Sequence, residues 1–243
     1  MKAIETKNLT KRYKNITALE GLDLAVEQGE MLALLGVNGA GKTTAIKLLS
    51  CLAAPSEGEA WLCGHSISSE GEAVKHVIGV SPQETAVAKK LSVRENLQFM
   101  AEVHGANKQE APKRVEKMIE RMGLGKVATQ RASTLSGGWQ RRLSIAMALI
   151  GEPKILFLDE PTLGLDVIAR HELWEQIRAL KGKTTVILTT HYMEEAEALC
   201  DRIAILASGK LITTGTVSEI KALAGKEKFE DAFVALCAGG VRV

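Results

Sequence analysis

Residues Gly36 to Thr44 read G-V-N-G-A-G-K-T-T, which satisfies the G-x-x-x-x-G-K-[ST] pattern of a phosphate-binding loop. Before it, Met31-Leu32-Ala33-Leu34-Leu35 is an unbroken apolar run, as a buried strand requires. After it, Thr44 to Leu52 carries helix formers and neither Gly nor Pro. Strand, glycine-rich turn and helix therefore follow in the order that this motif needs. Gly36, Gly39 and Gly41 let the backbone curl until its N–H groups point inward, where they and the helix N-terminus cradle a polyphosphate. The candidate contacts are Gly36, Asn38, Gly39, Ala40, Gly41, Lys42, Thr43 and Thr44. Lys42 can reach the β- and γ-phosphates, and the Thr43 hydroxyl can ligate Mg²⁺.

Residues 3 to 35 read as antiparallel strands. Leu22, Leu24 and Val26 alternate with Asp23 and Ala25, giving a one-sided strand that ends at Gln28-Gly29. Tyr13 lies in this region, where a ring can pack in a sheet or stack on a base. Short strands are expected at Glu59–Leu62 and Val77–Val80, the second leading to Ser81-Pro82-Gln83. From there to about residue 150 the composition turns helical. Ser92-Val93-Arg94-Glu95 is a capping box, and Lys108 to Met122 reads as a second helix. Ser136-Gly137-Gly138 opens a third, Trp139 to Ile150, with a second N-terminus suited to an anion. This stretch reads as a helical subdomain inserted into an α/β core.

Ile155-Leu156-Phe157-Leu158 is a buried strand that delivers Asp159-Glu160 at its C-terminal end, the edge where open α/β sheets bind ligands. An amphipathic helix runs to Lys181, and the strand Thr184–Thr189 ends just before His191. Glu194 to Leu199 reads as helix, and Arg202–Leu206 with Leu211–Thr214 as a hairpin around Ser208-Gly209. Thr216-Val217-Ser218-Glu219 is a further capping box. Phe229, Ala232, Phe233, Leu236 and Cys237 follow helical spacing and need a surface to cover them.

Composition narrows the partners. The 31 basic and 29 acidic residues leave a net charge of +2, which argues against nucleic acid. Cys51, Cys63, Cys200 and Cys237 form no C-x-x-C pair and read as free, mostly buried thiols of a reducing compartment. No apolar run approaches the roughly 20 residues that span a bilayer, and the first residues carry no apolar signal core. The expectation is a soluble, cytoplasmic protein, with docking onto a membrane partner left open.

These stations, in this order, resemble the nucleotide-binding subunit of ABC transporters over essentially the whole chain. Gln83 falls at the family's Q-loop glutamine, and Leu135-Ser136-Gly137-Gly138 matches its signature. Leu158-Asp159-Glu160 matches the Walker B strand with its catalytic Glu, Leu163-Gly164-Leu165-Asp166 the D-loop, and His191 the switch histidine. Two positions depart: Trp139 stands where the signature usually has Gln, and Leu163 where the D-loop usually has Ser. The stretch T-T-H-Y-M-E-E-A-E-A-L-C-D-R-I-A-I and the tail from Phe229 to Phe233 are similar to ATPases of exporters with ABC-2 type permeases.

The resemblance implies a P-loop NTPase core with a mixed sheet, an N-terminal antiparallel β subdomain and an inserted helical signature subdomain at about 84–150. The ATPase domain spans 1–225 and a helical tail 226–243. It implies ATP and Mg²⁺, with Thr43, Gln83 and Asp159 at the metal. Glu160 is the general base, supported by Lys42, Gln83 and His191, and Tyr13 stacks on adenine. Ser136, Gly137, Gly138 and Asp166 act in trans, on nucleotide held by a second copy in a homodimer. A permease of separate transmembrane subunits completes the assembly. An importer ATPase remains open. A non-transport member carries two cassettes or a long coiled coil, which this chain lacks, and Glu160 with His191 argues against a regulatory subunit without turnover.

Overall fold

The computed structural model describes residues 2–239. It opens with β1 (Lys2–Tyr13), β2 (Ile16–Leu22), β3 (Ala25–Glu27) and β4 (Met31–Leu35). The first three lie with β5 (Glu57–Leu62) and β6 (His65–Ser66) in an antiparallel sheet of order β2-β1-β5-β6, with β3 also on β1. Leu22, Leu24 and Val26 are buried in alternation as expected, but they do not form one strand. Gly21 has φ 59°, which bends the chain so that β2 and β3 pair with opposite ends of β1.

β4 departs from the antiparallel expectation. It pairs in parallel with β9 (Thr185–Thr190) and β10 (Arg202–Ala207). The second sheet has the order β11-β10-β4-β9-β8-β7, where β7 is Ile78–Ser81, β8 is Ile155–Asp159 and β11 is Lys210–Gly215. Only the β10–β11 hairpin is antiparallel in it, so the sheet is mixed. β4, β8 and β9 are buried at every position because layers cover both faces. Period-two alternation then divides their side chains. Met31, Ala33, Leu35, Leu156 and Leu158 face a core on the helical side, while Leu32, Leu34, Ile155 and Phe157 face the core beneath the antiparallel sheet. Each such fully buried side chain contributes about 1.5–3 kcal/mol, so the central strands hold the loop at their ends rigidly.

α1 (Lys42–Leu49) follows the loop, and α2 (Gly71–Val77) precedes β7. Between β7 and β8 lie α3 (Val93–Val103), α4 (Glu110–Arg121) and α5 (Gly137–Leu149). Ser92 caps α3 in a full capping box with Glu95. α6 (Val167–Arg178) and α7 (Met193–Leu199) complete the layer. The capping box at Thr216 opens α8 (Val217–Ala224), against which α9 (Phe229–Gly239) packs, burying Phe229, Ala232 and Phe233. The four cysteines are free, as expected, but half-buried rather than mostly buried.

Candidate active site

The loop from Gly36 to Lys42 is built by close approach. A Cβ on Gly36 would stand 2.4 Å from the Leu206 carbonyl oxygen. Gly41 has φ 101°, and a Cβ there would meet the Ala18 carbonyl oxygen at 2.7 Å. Only glycine satisfies both demands. Gly41 is the N-cap of α1, so the helix N-terminus opens directly onto the loop. The loop floors a cleft of about 610 Å³ lined by Ile16, Thr17, Ala18, Asn38 to Thr44, Gln83, Glu160, Leu163 and His191. That volume suits a small-molecule ligand.

Lys42 is buried, and its ammonium donates to the Gly36 carbonyl at 2.8 Å and the Val37 carbonyl at 3.2 Å. Thr43 Oγ1 donates to Asp159 Oδ1 at 3.3 Å. The Thr189 hydroxyl bridges two neighbours: it donates to Asp159 Oδ1 at 2.5 Å and accepts from the Glu160 amide at 3.0 Å. The end of β9 thus fixes both acidic residues at the end of β8. Glu160 has φ 47°, a conformation that costs a non-glycine residue about 1–3 kcal/mol. The twist turns its side chain away from that of Asp159 and into the cleft. His191 Nδ1 lies 3.1 Å from Glu160 Oε2, close but not aligned as a hydrogen bond. The His191 ring lies 4.1 Å from that of Tyr192, and the Arg170 guanidinium covers the Tyr192 ring at 5.6 Å.

The structure therefore brings together the loop residues, Gln83, Glu160 and His191, with Asp159 behind Thr43. It does not bring the remaining candidates into this cleft. Tyr13 is 44% exposed at the end of β1, under the Lys11 ammonium, while its strand neighbour Ile16 lines the cleft. Ser136, Gly137 and Gly138 open α5 away from the cleft lining, and the Ser136 hydroxyl makes no cap hydrogen bond. Asp166 caps α6, accepting from the Ala169 amide at 2.9 Å. Trp139 stacks under the Arg142 guanidinium at 4.7 Å and packs on the helical core. Sequence reasoning missed Thr189, Arg141 and Glu195. The first had a signal, since Thr189-Thr190 ends an otherwise apolar run beside the acidic strand end.

The ABC transporter family model matches residues 19–163, which include the loop, Gln83, the signature and the Asp159-Glu160 pair. This chain belongs to the ABC transporter family. It is the family's ATP-binding cassette, an ATPase. It is 42% identical over 229 residues to a daunorubicin resistance ATP-binding protein of Streptomyces coeruleorubidus, covering 94% of this chain and 72% of the relative. It is 42% identical over 214 residues to Nod factor export ATP-binding protein I of Burkholderia orbicola, covering 87% of this chain and 70% of the relative. Among solved structures, an ATP-binding subunit of an ABC transporter superposes with a TM-score of 0.86 at 30% identity, covering 96% of this chain and 99% of that one. A dimeric cassette in a post-hydrolysis state with ADP and Pi superposes at 0.79 with 28% identity, covering 88% of this chain and 98% of that one. Cassettes of this family dimerise and work with transmembrane subunits. Among the described residues, no helix is long and apolar enough to cross a membrane.

Proposed function

We propose that this chain hydrolyses Mg-ATP at two sites shared between two copies of itself and so powers export through a separate ABC-2 type permease. One observation carries the shared site. The α5 N-terminus at Ser136–Gly138 presents unused donors and an uncapped hydroxyl, yet lines no part of its own cleft. A second copy related by a two-fold axis gives that N-terminus a nucleotide to bind. The similarity to a dimeric cassette supports this arrangement. Asp166 then joins Ser136, Gly137 and Gly138 in trans, and Tyr13, paired with the cleft residue Ile16, supplies the adenine platform.

Within one cleft, Lys42 leaves its carbonyl partners for the γ-phosphate. Glu160 accepts the proton of the attacking water, and His191 holds Glu160 and the phosphate together. The site fits Mg²⁺: Thr43 Oγ1 in the cleft lining and Asp159 Oδ1 behind it are hard oxygens 3.3 Å apart, and Gln83 lines the same cleft. Mg²⁺ takes few protein ligands and keeps waters and phosphate oxygens for the rest. The described residues hold no cluster of three His, Cys, Asp or Glu that would select another metal. When bound, Mg²⁺ neutralises phosphate charge as the bond to the γ-phosphoryl group breaks.

The export direction is supported by the relatives, which are drug resistance and Nod factor export ATP-binding proteins. Permease docking is supported by an apolar groove of about 330 Å³ lined by Leu52, Val80, Pro82, Met100 and Met147, with Phe99 and Val103 exposed nearby. The chain then sits on the cytoplasmic face of the membrane. We assign 1–225 to the ATPase domain, with its helical insertion at 84–150, and 226–243 to a tail whose residues 240–243 lie outside the described ones. Affinity capture of the tagged chain from membranes in mild detergent tests the reading. Recovery of a polytopic partner that exports substrate only with active ATPase is expected; capture of an importer permease overturns export.

A further inference from the structure

α5 touches β7 and the segment that follows it at three successive points on one face. A Cβ on Gly79 would stand 2.2 Å from the Ala148 carbonyl oxygen, so strand and helix meet there backbone to backbone. One turn nearer the helix start, the hydroxyls of Ser81 and Ser144 are hydrogen-bonded at 2.9 Å. Another turn on, Arg141 Nη1 donates to the Pro82 carbonyl at 2.6 Å, and Nη2 donates to the Gln83 carbonyl. Arg141 is only 5% exposed. Its hydrogen bonds go to the main chain of the Gln83 segment, and the Asp159 and Glu195 carboxylates are close enough to act on its charge. α5 is buried at every position from Arg141 to Leu149, and burying an arginine there costs desolvation. Its position must therefore supply something that an apolar side chain cannot.

We infer that Arg141 is a positioning residue that couples Gln83 to the signature turn Ser136–Gly138 on the same helix. The inference rests on the proposed function, in which Gln83, a lining residue of the nucleotide cleft, senses whether the γ-phosphate is present. Arg141 lies five residues past Ser136, about 7.5 Å along the axis. The turn before the helix is tied to it as well, because Gln140 Nε2 donates to the Ala132 and Leu135 carbonyls, both at 3.1 Å. Residues 132 to 141 therefore move as one piece. Ala148 and Ser144 hold the far part of the helix against the sheet, so that part acts as the pivot. A shift of the Gln83 backbone pulls the guanidinium and swings the signature about that pivot. Since the signature serves the second copy's nucleotide, occupancy of one cleft sets the geometry of the other.

The test is a double-mutant cycle on the full chain, with kcat and ATP affinity measured separately. Arg141→Gln should lower kcat about tenfold, the scale of a coupling residue, with ATP Kd within about twofold of the parent. Gln83→Ala should lower kcat by itself. In the Gln83→Ala background, Arg141→Gln should change kcat by less than about twofold, because nothing is left to transmit. An equal tenfold loss in both backgrounds would show that Arg141 merely holds the fold, and the inference fails. A normal kcat for Gln83→Ala alone instead overturns the sensing role, and with it the coupling. If Arg141→Gln does not fold, the same cycle with Arg141→Lys, which keeps one buried donor, decides the question.

Discussion

Lys42 Nζ lies 3.5 Å from Glu160 Oε1, and both side chains are buried. The cation proposed to meet the γ-phosphate and the carboxylate proposed to take a proton thus neutralise each other across the cleft. On the proposed function, nucleotide binding breaks this pair, because the phosphate draws Lys42 and repels Glu160.

Glu160→Gln removes the base and the repulsion together. Turnover is expected to fall by roughly 10²–10⁴-fold. ATP affinity should hold or rise, since Lys42 loses a competing anion. The ATP-bound dimer should then accumulate on gel filtration. Hydrolysis at the parental rate would show that another group takes the proton.

Trp139 stands at a signature position, yet its ring faces Arg142 and the helical core. Trp139→Gln should leave ATPase activity within a few-fold of the parent. It should cost about 1 kcal/mol of stability from the lost stacking and burial. Urea melts alongside initial rates separate the two. Collapse of activity in a folded variant would place the ring in the reaction.

The site was legible where chemistry is local in the chain. The loop at Gly36–Thr43 and the Asp159-Glu160 end of β8 announce themselves by adjacent residues. The capping boxes at Ser92 and Thr216 did the same for α3 and α8. What stayed hidden depends on partners distant in sequence. The parallel pairing of β4 is set by β9 and β10, more than 150 residues on, which no local alternation records. Val77 read as strand by its apolar run with Ile78 but ends α2, and β7 begins only at Ile78. Arg141 reads as one charge among two, and only the fold shows it buried on the Gln83 segment.

Glu195 on α7 has no exposed surface. Trp174 Nε1 donates to its Oε1 at 3.2 Å, while Oε2 has no aligned partner. Burial raises its carboxyl above the ordinary range, against the pull of Thr190, Thr162, Trp174 and Arg170. The folded state therefore holds a proton that the unfolded state has released, between the ordinary and the raised pKa. Stability falls as pH rises through that window and stays at the lower level above it. Glu195→Gln keeps an oxygen for Trp174 and removes the titration. Thermal melts across mildly acidic to neutral pH should show a flatter profile and a higher Tm at neutral pH. An unchanged slope would assign the pH dependence to other groups.

The shared site is tested by complementation. Take Lys42→Ala and Ser136→Arg as separate proteins, each also carrying Glu160→Gln. In either homodimer both composite sites are damaged, so neither protein should associate tightly on ATP. In a mixed dimer the two lesions fall into one site, the bad Lys42 position of one chain facing the bad Ser136 position of the other. The second site takes an intact Lys42 from one chain and an intact Ser136 from its partner. Mixing should therefore give ATP-dependent association, read by light scattering, that neither protein shows alone. The motive is the separation of Ser136–Gly138 from the cleft that holds Lys42. A tandem-linked pair with one intact site removes the entropic cost of association from the comparison. If that linked pair closes on ATP no better than one with both sites damaged, the signature does not act in trans.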